Sequence, residues 1–218
     1  MKNLTIVWDW NGTLLDDVAL NCDIMNRMLR KRGKPPVPSL EAYRQIFGFP
    51  IKGYYERVGF DFTKEDYGAV ADEYMVLYRR DSMACKLFPN AEETLSKLRR
   101  SGIRQVILSA SQKDCLTEQL THLGVGCLFD QVLALDHCLA HSKVELAEVW
   151  MEENGLSGEN LFFVGDTLHD YEVSRRLDAR CLLIAAGHQD KRRLLTCGCP
   201  VADSFGEVAR WIEKNLAG

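Results

Sequence analysis

The chain has 218 residues, a length that suits one domain of ordinary size or a core domain with a small insertion. Hydrophobic residues make up 46% and charged residues 27% of it, a balance typical of a globular protein and unlike that of a disordered or fibrous one. The net charge is −4 and no basic run exceeds short segments such as KRR and LRKRGK, which argues against a nucleic acid partner.

The first residues, MKNLTIVWDW, combine one lysine with a short apolar run that ends in an acid. They lack the long apolar stretch and the small-residue cleavage site of a signal peptide. No apolar run approaches the roughly 20 residues of a membrane span. The eight cysteines are scattered, mostly within apolar segments, as reduced thiols are. We therefore expect a cytoplasmic protein without a membrane partner.

The first predicted strand is LTIVW, residues 4–8, and a long stretch without a convincing strand follows it. Within residues 16–85, the segment DVALNCDIMNRMLRKRG has apolar residues near i, i+3, i+4 spacing and ends on Gly33. The segment KEDYGAVADEYMVLYRRD repeats this pattern, and the turn-rich GKPPVPS lies between the two. The pattern predicts a helical insertion of about 70 residues.

Four further apolar runs follow the insertion, and they show little alternation between apolar and polar residues. They are RQVILS (104–109), QVLAL (131–135), LFFVG (161–165) and CLLIA (181–185). Runs of this kind are typical of strands that are buried on both faces of a sheet. We expect them to pair with the first strand in one parallel sheet.

Helices are predicted between these strands, each beginning where a capping residue stands three positions before an acid. The pairs are Asn90 with Glu93, Ser111 with Asp114, and Ser142 with Glu145. The β-α-β-α order predicts an α/β fold, with helices on both sides of the parallel sheet. We expect residues 1–15 and 86–218 to form this core and residues 16–85 to form the helical insertion.

Polar side chains are predicted to meet at the carboxyl ends of the strands, where open parallel sheets bind their ligands. Asp9 ends the first strand, Ser109-Ala110-Ser111 ends the second, and GDTLHD, residues 165–170, ends the fourth. Lys143 begins the helix that follows the third strand. The sequence thus predicts that three acids, a hydroxyl and an ammonium face one crevice.

These residue types favour a site for Mg²⁺ and phosphate. Asp9, Asp166 and Asp170 would repel one another in a partly desolvated crevice unless a hard divalent cation lay between them. Lys143 and Ser109 supply a positive charge and a hydroxyl donor for phosphate oxygens. A carboxylate in the place of Asp9 can attack a metal-bound phosphoryl group and form an aspartyl-phosphate.

The motifs DWNGT, LSAS, Lys143 and GDTLHD, in this order and on these strands, resemble those of the haloacid dehalogenase-like superfamily of phosphohydrolases. The similarity covers the whole chain, because the helical insertion resembles the cap of the phosphoglycolate phosphatase and β-phosphoglucomutase branch. The resemblance implies a Rossmann-like core with an inserted helical cap domain, and Asp9 as nucleophile. It also implies that Asp9, the backbone carbonyl of Asn11 and Asp166 hold Mg²⁺, with Asp170 close by.

The resemblance also implies how the substrate is held. Ser109 and Lys143 would bind the transferring phosphoryl group, and FGFPIKGYY, residues 47–55, would be a loop that overhangs the site. The predicted substrate-binding residues are Ser109, Ala110, Lys143, Lys52 and Arg44. A cap of this size would close over a compact substrate and exclude proteins, which indicates a small phosphorylated metabolite as the partner.

Asn11 departs from the family's pattern, because the family's phosphatases carry a second aspartate there. That aspartate protonates the leaving oxygen and then activates the water that clears the aspartyl-phosphate. An amide can do neither, and acid-base catalysis of this kind is worth about 10²–10⁴-fold. His169, Asp16 and Asp17 are the nearest candidates for a replacement, and the sequence does not choose among them. We expect His141, His169 and His188 to be polar loop residues rather than catalysts.

Three functions are compatible with these residues. The leading one is a Mg²⁺-dependent phosphatase for a small phosphorylated metabolite, acting as a monomer or a homodimer. The second is a C–P hydrolase of the phosphonatase type, in which Lys52 would form a Schiff base with an aldehyde substrate. The third is a catalytically weak protein that binds a phosphate ligand, because Asn11 replaces the usual acid.

Overall fold

A parallel β-sheet forms the centre of the structure, a computed structural model that describes residues 4–135 and 142–216. Cys138 and His141 lie outside the described residues. The strands in chain order are β1 (Thr5–Trp8), β2 (Leu15–Asp16), β3 (Lys86–Leu87), β4 (Arg104–Gln112), β5 (Gln131–Leu135), β6 (Leu161–Gly165), β7 (Arg180–Ile184) and β8 (Val201–Ala202). In these residues, β2 and β3 pair antiparallel with each other, and the other six strands form the parallel sheet in the order β5-β4-β1-β6-β7-β8.

Helices surround the sheet and fill the region between β2 and β3. In chain order they are α1 (Val18–Lys31), α2 (Leu40–Ile46), α3 (Ile51–Val58), α4 (Tyr67–Asp81), α5 (Ala91–Arg100), α6 (Lys113–Leu123), α7 (Lys143–Glu153), α8 (Leu168–Arg176), α9 (Lys191–Leu194) and α10 (Phe205–Leu216). None of them, over the ranges described, is both long enough and apolar enough to cross a membrane. The first four helices match the expected helical insertion, and its status as a separate domain stays a prediction.

The five strands predicted from apolar runs are confirmed. β1 lies in the middle of the sheet between β4 and β6, and its residues Ile6, Val7 and Trp8 have no exposed surface. Ile6 and Trp8 pack into the hydrophobic cluster on one face of the sheet, and Val7 packs into the cluster on the other. Strands β2, β3 and β8 were not predicted, because two-residue strands carry no hydrophobic period.

One of the three predicted capping boxes is present. The hydroxyl of Ser142 accepts a hydrogen bond from the backbone of Glu145, whose side chain bonds back to the backbone of Ser142. The other two predictions were wrong. Asn90 precedes α5 in a left-handed conformation, φ 68°, without a side-chain cap, and Ser111 lies inside β4, which continues to Gln112.

The segment predicted as an overhanging loop, residues 47–55, is largely helical. Pro50 precedes the first turn of α3, and the helix continues over Ile51–Val58 until Gly59 ends it with a φ of 115°. The loop prediction rested on the family resemblance; Gly53 does not prevent the helix, because a single glycine costs a helix only about 1 kcal/mol, which packing outweighs. Tyr54 and Tyr55, both buried, supply that packing.

A buried glutamine supports the strand that ends at Asp9. The indole N–H of Trp8 donates to Oε1 of Gln105 at 3.2 Å. The amide of Gln105 in turn donates to the carbonyls of Leu95 at 2.9 Å and Leu128 at 3.1 Å. Gln105 is fully buried, so its side chain satisfies three polar groups that water cannot reach.

We expect Gln105→Leu to lower the free energy of unfolding by roughly 1–3 kcal/mol, because it leaves the buried Trp8 indole N–H without its acceptor and removes two hydrogen bonds to carbonyls. Urea unfolding of the purified variant measures this. The control is Gln45→Leu, the same change at an exposed position of α2, which should stay within about 0.5 kcal/mol of the parent protein. Equal effects of the two variants would contradict the role given to Gln105.

Candidate active site

The carboxyl ends of the central strands bring the predicted site residues to one cavity of about 340 Å³ between the sheet and the helices α1–α4. Asp9 follows β1, where its backbone N–H donates to the carbonyl of Val164 on β6 at 2.9 Å. Asp166 follows β6, and Ser109 lies on β4. The predicted residues that line the cavity are Asp9, Asn11, Ser109, Ala110, Lys143, Asp166 and Asp170.

Lys143 is held between two carboxylates in the cavity wall. Its Nζ lies 2.6 Å from Oδ1 of Asp9 and 2.5 Å from Oδ1 of Asp170, and its side chain is 4% exposed. Burial alone would lower the pKa of Lys143, but the two carboxylates outweigh it and raise the pKa above its usual value. The ammonium therefore stays charged and lies beside the predicted nucleophile.

Asp170 accepts hydrogen bonds from its neighbours in the chain. Its Oδ2 accepts hydrogen bonds from the hydroxyl of Thr167 at 2.7 Å, the backbone of Thr167 at 3.0 Å and the backbone of Asp166 at 3.2 Å. Burial would raise the pKa of Asp170, but Lys143 and these donors hold it below its usual value. Asp170 accepts from four donors and Asp166 from only two, so Asp170 is better placed to position Lys143 and the start of α8 than to bind a cation directly.

The backbone approaches the Asp166 carboxylate so closely at Gly12 and Gly187 that a side chain at either position would clash with it. A Cβ on Gly12, whose φ is 71°, would lie 2.4 Å from Oδ2 of Asp166, and a Cβ on Gly187 would lie 2.2 Å from the same oxygen. The backbone of His188 donates to this oxygen at 2.6 Å. Desolvation raises the pKa of Asp166 to about 8. The loops after β1 and β7 therefore enclose a carboxylate whose charge is poorly compensated.

The same cluster fits a divalent cation. Carboxylate oxygens of Asp9, Asp166 and Asp170 lie within 4.8 Å of one another. Desolvation also raises the pKa of Asp9, to about 6. Three carboxylates face the single ammonium of Lys143, so a hard cation with two charges would complete the balance. Asp9 and Asp166 are the carboxylates that could hold it.

Thr13, which the sequence analysis did not single out, connects these two carboxylates. Its hydroxyl lies 3.2 Å from Oδ2 of Asp9 and 3.2 Å from Oδ1 of Asp166. Thr13 is fully buried and follows the tight turn at Gly12. Its position within DWNGT was the signal that could have identified it.

Asn11 is fixed by three polar neighbours. Its amide nitrogen donates to Oδ2 of Asp17 at 2.7 Å and lies 2.5 Å from the hydroxyl of Tyr78 on α4. Its amide oxygen accepts from the hydroxyl of Ser111 at 2.5 Å. A carboxylate at position 11 would face the carboxylate of Asp17, so the amide is the group that this arrangement requires.

Asp17 and His188 form a buried ion pair next to Asn11. His188 Nε2 lies 3.2 Å from Oδ1 of Asp17, and its Nδ1 lies 2.9 Å from the hydroxyl of Tyr43 on α2. Burial would lower the pKa of His188, but Asp17 above all raises it to about 9. Burial would raise the pKa of Asp17, but His188, Asn11 and Tyr78 hold it below its usual value.

His188 was predicted to be a polar loop residue, and it lies in the loop after β7, where it is 4% exposed and part of the cavity wall. The signal was present in the sequence, since His188 follows the carboxyl end of β7 by four residues.

Of the three candidates for the missing acid, Asp16 is exposed on β2 and does not line the cavity. His169 lines it and stacks on Phe49, with ring centroids 4.5 Å apart. Asp17 lines it too, with its oxygens already paired.

The structure does not bring Arg44 and Lys52 to the cavity. Arg44 donates to the carbonyls of Gly187 and Ala186, each at 2.8 Å, and so joins α2 to the loop after β7. Lys52 is exposed, and its Nζ lies 5.7 Å from the centroid of the Phe62 ring. Their substrate-binding role rested on a loop at residues 47–55, and the helical path of α3 turns Lys52 away from the cavity.

Comparison with known proteins gives matches over most of the chain. The model of the family described as haloacid dehalogenase-like hydrolase matches residues 6–184. The phosphoglycolate phosphatase of Pseudomonas putida is 24% identical over 196 residues, which cover 86% of this chain and 71% of that protein.

Solved structures share the fold at lower sequence identity. A crystal structure described as a predicted phosphatase from Clostridium acetobutylicum has a TM-score of 0.83 at 18% identity and covers 98% of this chain and all of that one. A haloacid dehalogenase-like family protein from Streptococcus pneumoniae has a TM-score of 0.82 at 19% identity, with 97% of this chain and 100% of that chain covered.

Mg²⁺ should stabilise the protein through Asp166. At a Mg²⁺ concentration one hundred times its Kd, binding to the folded state adds about 2.7 kcal/mol to the free energy of unfolding. We expect Asp166→Asn to lose this gain while the metal-free variant remains folded, because the change removes a buried charge and keeps the volume. Thermal melts with Mg²⁺ and with a chelator measure it. Asp72→Asn, at an exposed position of α4, is the control, and an equal Mg²⁺ shift in both variants would count against the site.

The contact between Asn11 and Asp17 can be tested by a double-mutant cycle. We expect Asn11→Asp and Asp17→Asn each to lower the free energy of unfolding, the first by setting two carboxylates against each other. In the double variant the acid and the amide change places and can form a hydrogen bond again. Its loss in free energy of unfolding should therefore be smaller than the sum of the two single losses by about 0.5–3 kcal/mol. Urea unfolding of the four proteins measures this coupling. Strict additivity would mean that the two side chains do not interact.

Proposed function

The chain belongs to the haloacid dehalogenase-like hydrolase family, and we propose that it is a Mg²⁺-dependent phosphatase that hydrolyses a small phosphorylated metabolite in the cytoplasm. The observation that carries this proposal is the contact between the Asp9 carboxylate and the Lys143 ammonium, 2.6 Å apart beside Asp166 in the cavity. A nucleophile, a phosphate-binding cation and a candidate metal ligand are then within reach of one phosphoryl group. The similarity to phosphoglycolate phosphatases supports the same reaction class.

Asp9 is the nucleophile in this proposal. Its Oδ1 lies beside Lys143, and its Oδ2 lies beside the hydroxyl of Thr13, so the carboxylate is oriented before the substrate arrives. When phosphate enters, the Lys143 ammonium and the Ser109 hydroxyl donate to its oxygens. Mg²⁺, held by Asp9, Asp166 and the backbone carbonyl of Asn11, would neutralise charge on the phosphoryl group. Attack of the Asp9 carboxylate on phosphorus gives an aspartyl-phosphate, which water then hydrolyses.

Residues 16–85 act as a cap in this proposal. Tyr43 on α2 bonds to His188, and Arg44 bonds to the carbonyls of Ala186 and Gly187 in the loop after β7. Arg193 on α9, a helix of the core, donates to the carbonyl of Phe47 at the end of α2. These contacts hold the helices against the core beside Asp9, and closure of such a cap over a bound substrate would exclude water and strengthen the electrostatic interactions in the site.

The other two functions receive less support. A Schiff base needs an amine in the cavity, and Lys52 lies outside it against the ring of Phe62. Weak catalysis by a phosphate-binding protein is favoured by one observation, the amide of Asn11, which replaces the family's acid. The proposed phosphatase therefore depends on a leaving group that departs without help from residue 11.

Asp9→Asn should abolish turnover, because the amide cannot attack phosphorus. We expect hydrolysis of p-nitrophenyl phosphate in the presence of Mg²⁺ to fall to the background rate of the buffer. Asp16→Asn, at an exposed position seven residues away, is the control and should keep the parent rate. Removing Mg²⁺ with a chelator should lower the parent rate in the same assay, and turnover that survives Asp9→Asn would refute the assigned nucleophile.

A further inference from the structure

Helices α1–α4 line the cavity with aromatic and apolar side chains. Eight rings from this region contribute to the wall, among them Phe47, Phe49, Tyr54, Tyr55, Tyr67 and Tyr74. Of the six rings named, all but Phe49 are themselves buried or half-buried in the helical region. Such a wall favours a flat, apolar group through burial and ring stacking.

Apart from Lys143, the described part of the cavity wall has no lysine or arginine for a second charged group on the substrate. Over the described residues, Lys143 is the single lysine or arginine in the wall, and the phosphoryl group requires it. The undescribed residues 136–141 contain neither lysine nor arginine. His188 is already bonded to Asp17 and Tyr43. A substrate carboxylate would therefore be buried beside tyrosine and phenylalanine rings without a lysine or arginine partner, which is costly.

Asn11 limits the leaving group independently of the cavity wall. Its amide donates to Asp17 and accepts from Ser111, so it is held in place and has no acidic proton to give. An alcohol of the alkyl type, whose pKa is close to the value of about 15.7 for water, needs a proton as it leaves. A phenol, with a pKa of about 10, can leave as the anion.

From these two observations we infer that the substrate is an aryl phosphate, a phosphate monoester of a phenol that carries no second anionic group. The inference rests on the proposed phosphatase function and names its substrate class. The carboxylate of Asp9 forms a bond to phosphorus, and the bond between phosphorus and the aryl oxygen breaks with its electron pair on the oxygen. The phenolate takes a proton from solvent. Water then attacks phosphorus, the bond to Asp9 breaks, and inorganic phosphate leaves as the carboxylate is restored.

The test compares kcat/KM for phenyl phosphate, benzyl phosphate and phosphoglycolate in the presence of Mg²⁺. Phenyl and benzyl phosphate share the ring and differ in the leaving oxygen, whereas phosphoglycolate carries the extra carboxylate. We expect kcat/KM for phenyl phosphate to exceed that for benzyl phosphate by at least about 10²-fold. Residue 11 supplies no general acid that would compensate for the poorer leaving group of benzyl phosphate. Phosphoglycolate should be the poorest of the three.

A pair of variants tests the aromatic wall. Phe49→Leu removes a ring that lines the cavity and is 39% exposed, so the fold should tolerate it. We expect it to lower kcat/KM for phenyl phosphate about threefold to tenfold. Phe62→Leu removes a ring of the same helical region that does not line the cavity, and it should leave the ratio between phenyl phosphate and phosphoglycolate unchanged.

Each outcome decides one claim. Preference for phosphoglycolate would overturn the aryl inference and leave the phosphatase proposal intact. Equal rates for phenyl and benzyl phosphate would also overturn it, since another group would then supply the proton. If the protein hydrolysed none of the three esters with Mg²⁺, and Asp9 carried no phosphoryl group after incubation with phenyl phosphate, the proposed function itself would fail.

Discussion

The buried contact of Lys143 with Asp9 and Asp170 is the constraint on which the rest of the site depends. Two carboxylates and an ammonium can be buried together only if the ammonium lies between them, and here both distances are 2.6 Å or less. Asp170 fixes Lys143 because its second oxygen is bonded to Thr167 at the start of α8. Lys143 in turn orients Asp9. The third acid, Asp166, remains uncompensated, and this excess of negative charge is what makes the cluster suitable for a divalent cation.

A second polar network, formed by Asp17, His188 and Asn11, lies beside this cluster, and its charges compensate each other. Asp17 carries the negative charge, His188 the positive one, and Asn11 joins them to the loop of the nucleophile. The network also joins three parts of the chain, since Tyr78 and Tyr43 reach it from α4 and α2. An acid at position 11 would upset this balance. The amide is therefore explained by its neighbours, and the demand for a good leaving group is the chemical consequence.

Much of the fold could be predicted because uniformly apolar strands and ordered motifs are local signals. The five apolar strands and the meeting of Asp9, Ser109, Lys143 and Asp166 at one edge of the sheet followed from the sequence. The pairing of His188 with Asp17 could not be predicted in the same way, because it depends on how the loop after β7 packs against the loop after β1. Lys52 was misplaced for a similar reason, since the packing of Tyr54 and Tyr55 decides which side of α3 faces the cavity.

The central claim is that Asp9 attacks phosphorus while Asn11 gives no acid-base help, so the aspartyl-phosphate should accumulate. Acid quenching during turnover of an aryl phosphate, followed by mass spectrometry of the digested protein, tests this directly. We expect a phosphoryl group on the peptide that contains Asp9, at an occupancy that rises within the first turnover and then stays constant. A phosphoryl group on another residue, or unmodified Asp9 during steady turnover, would contradict it.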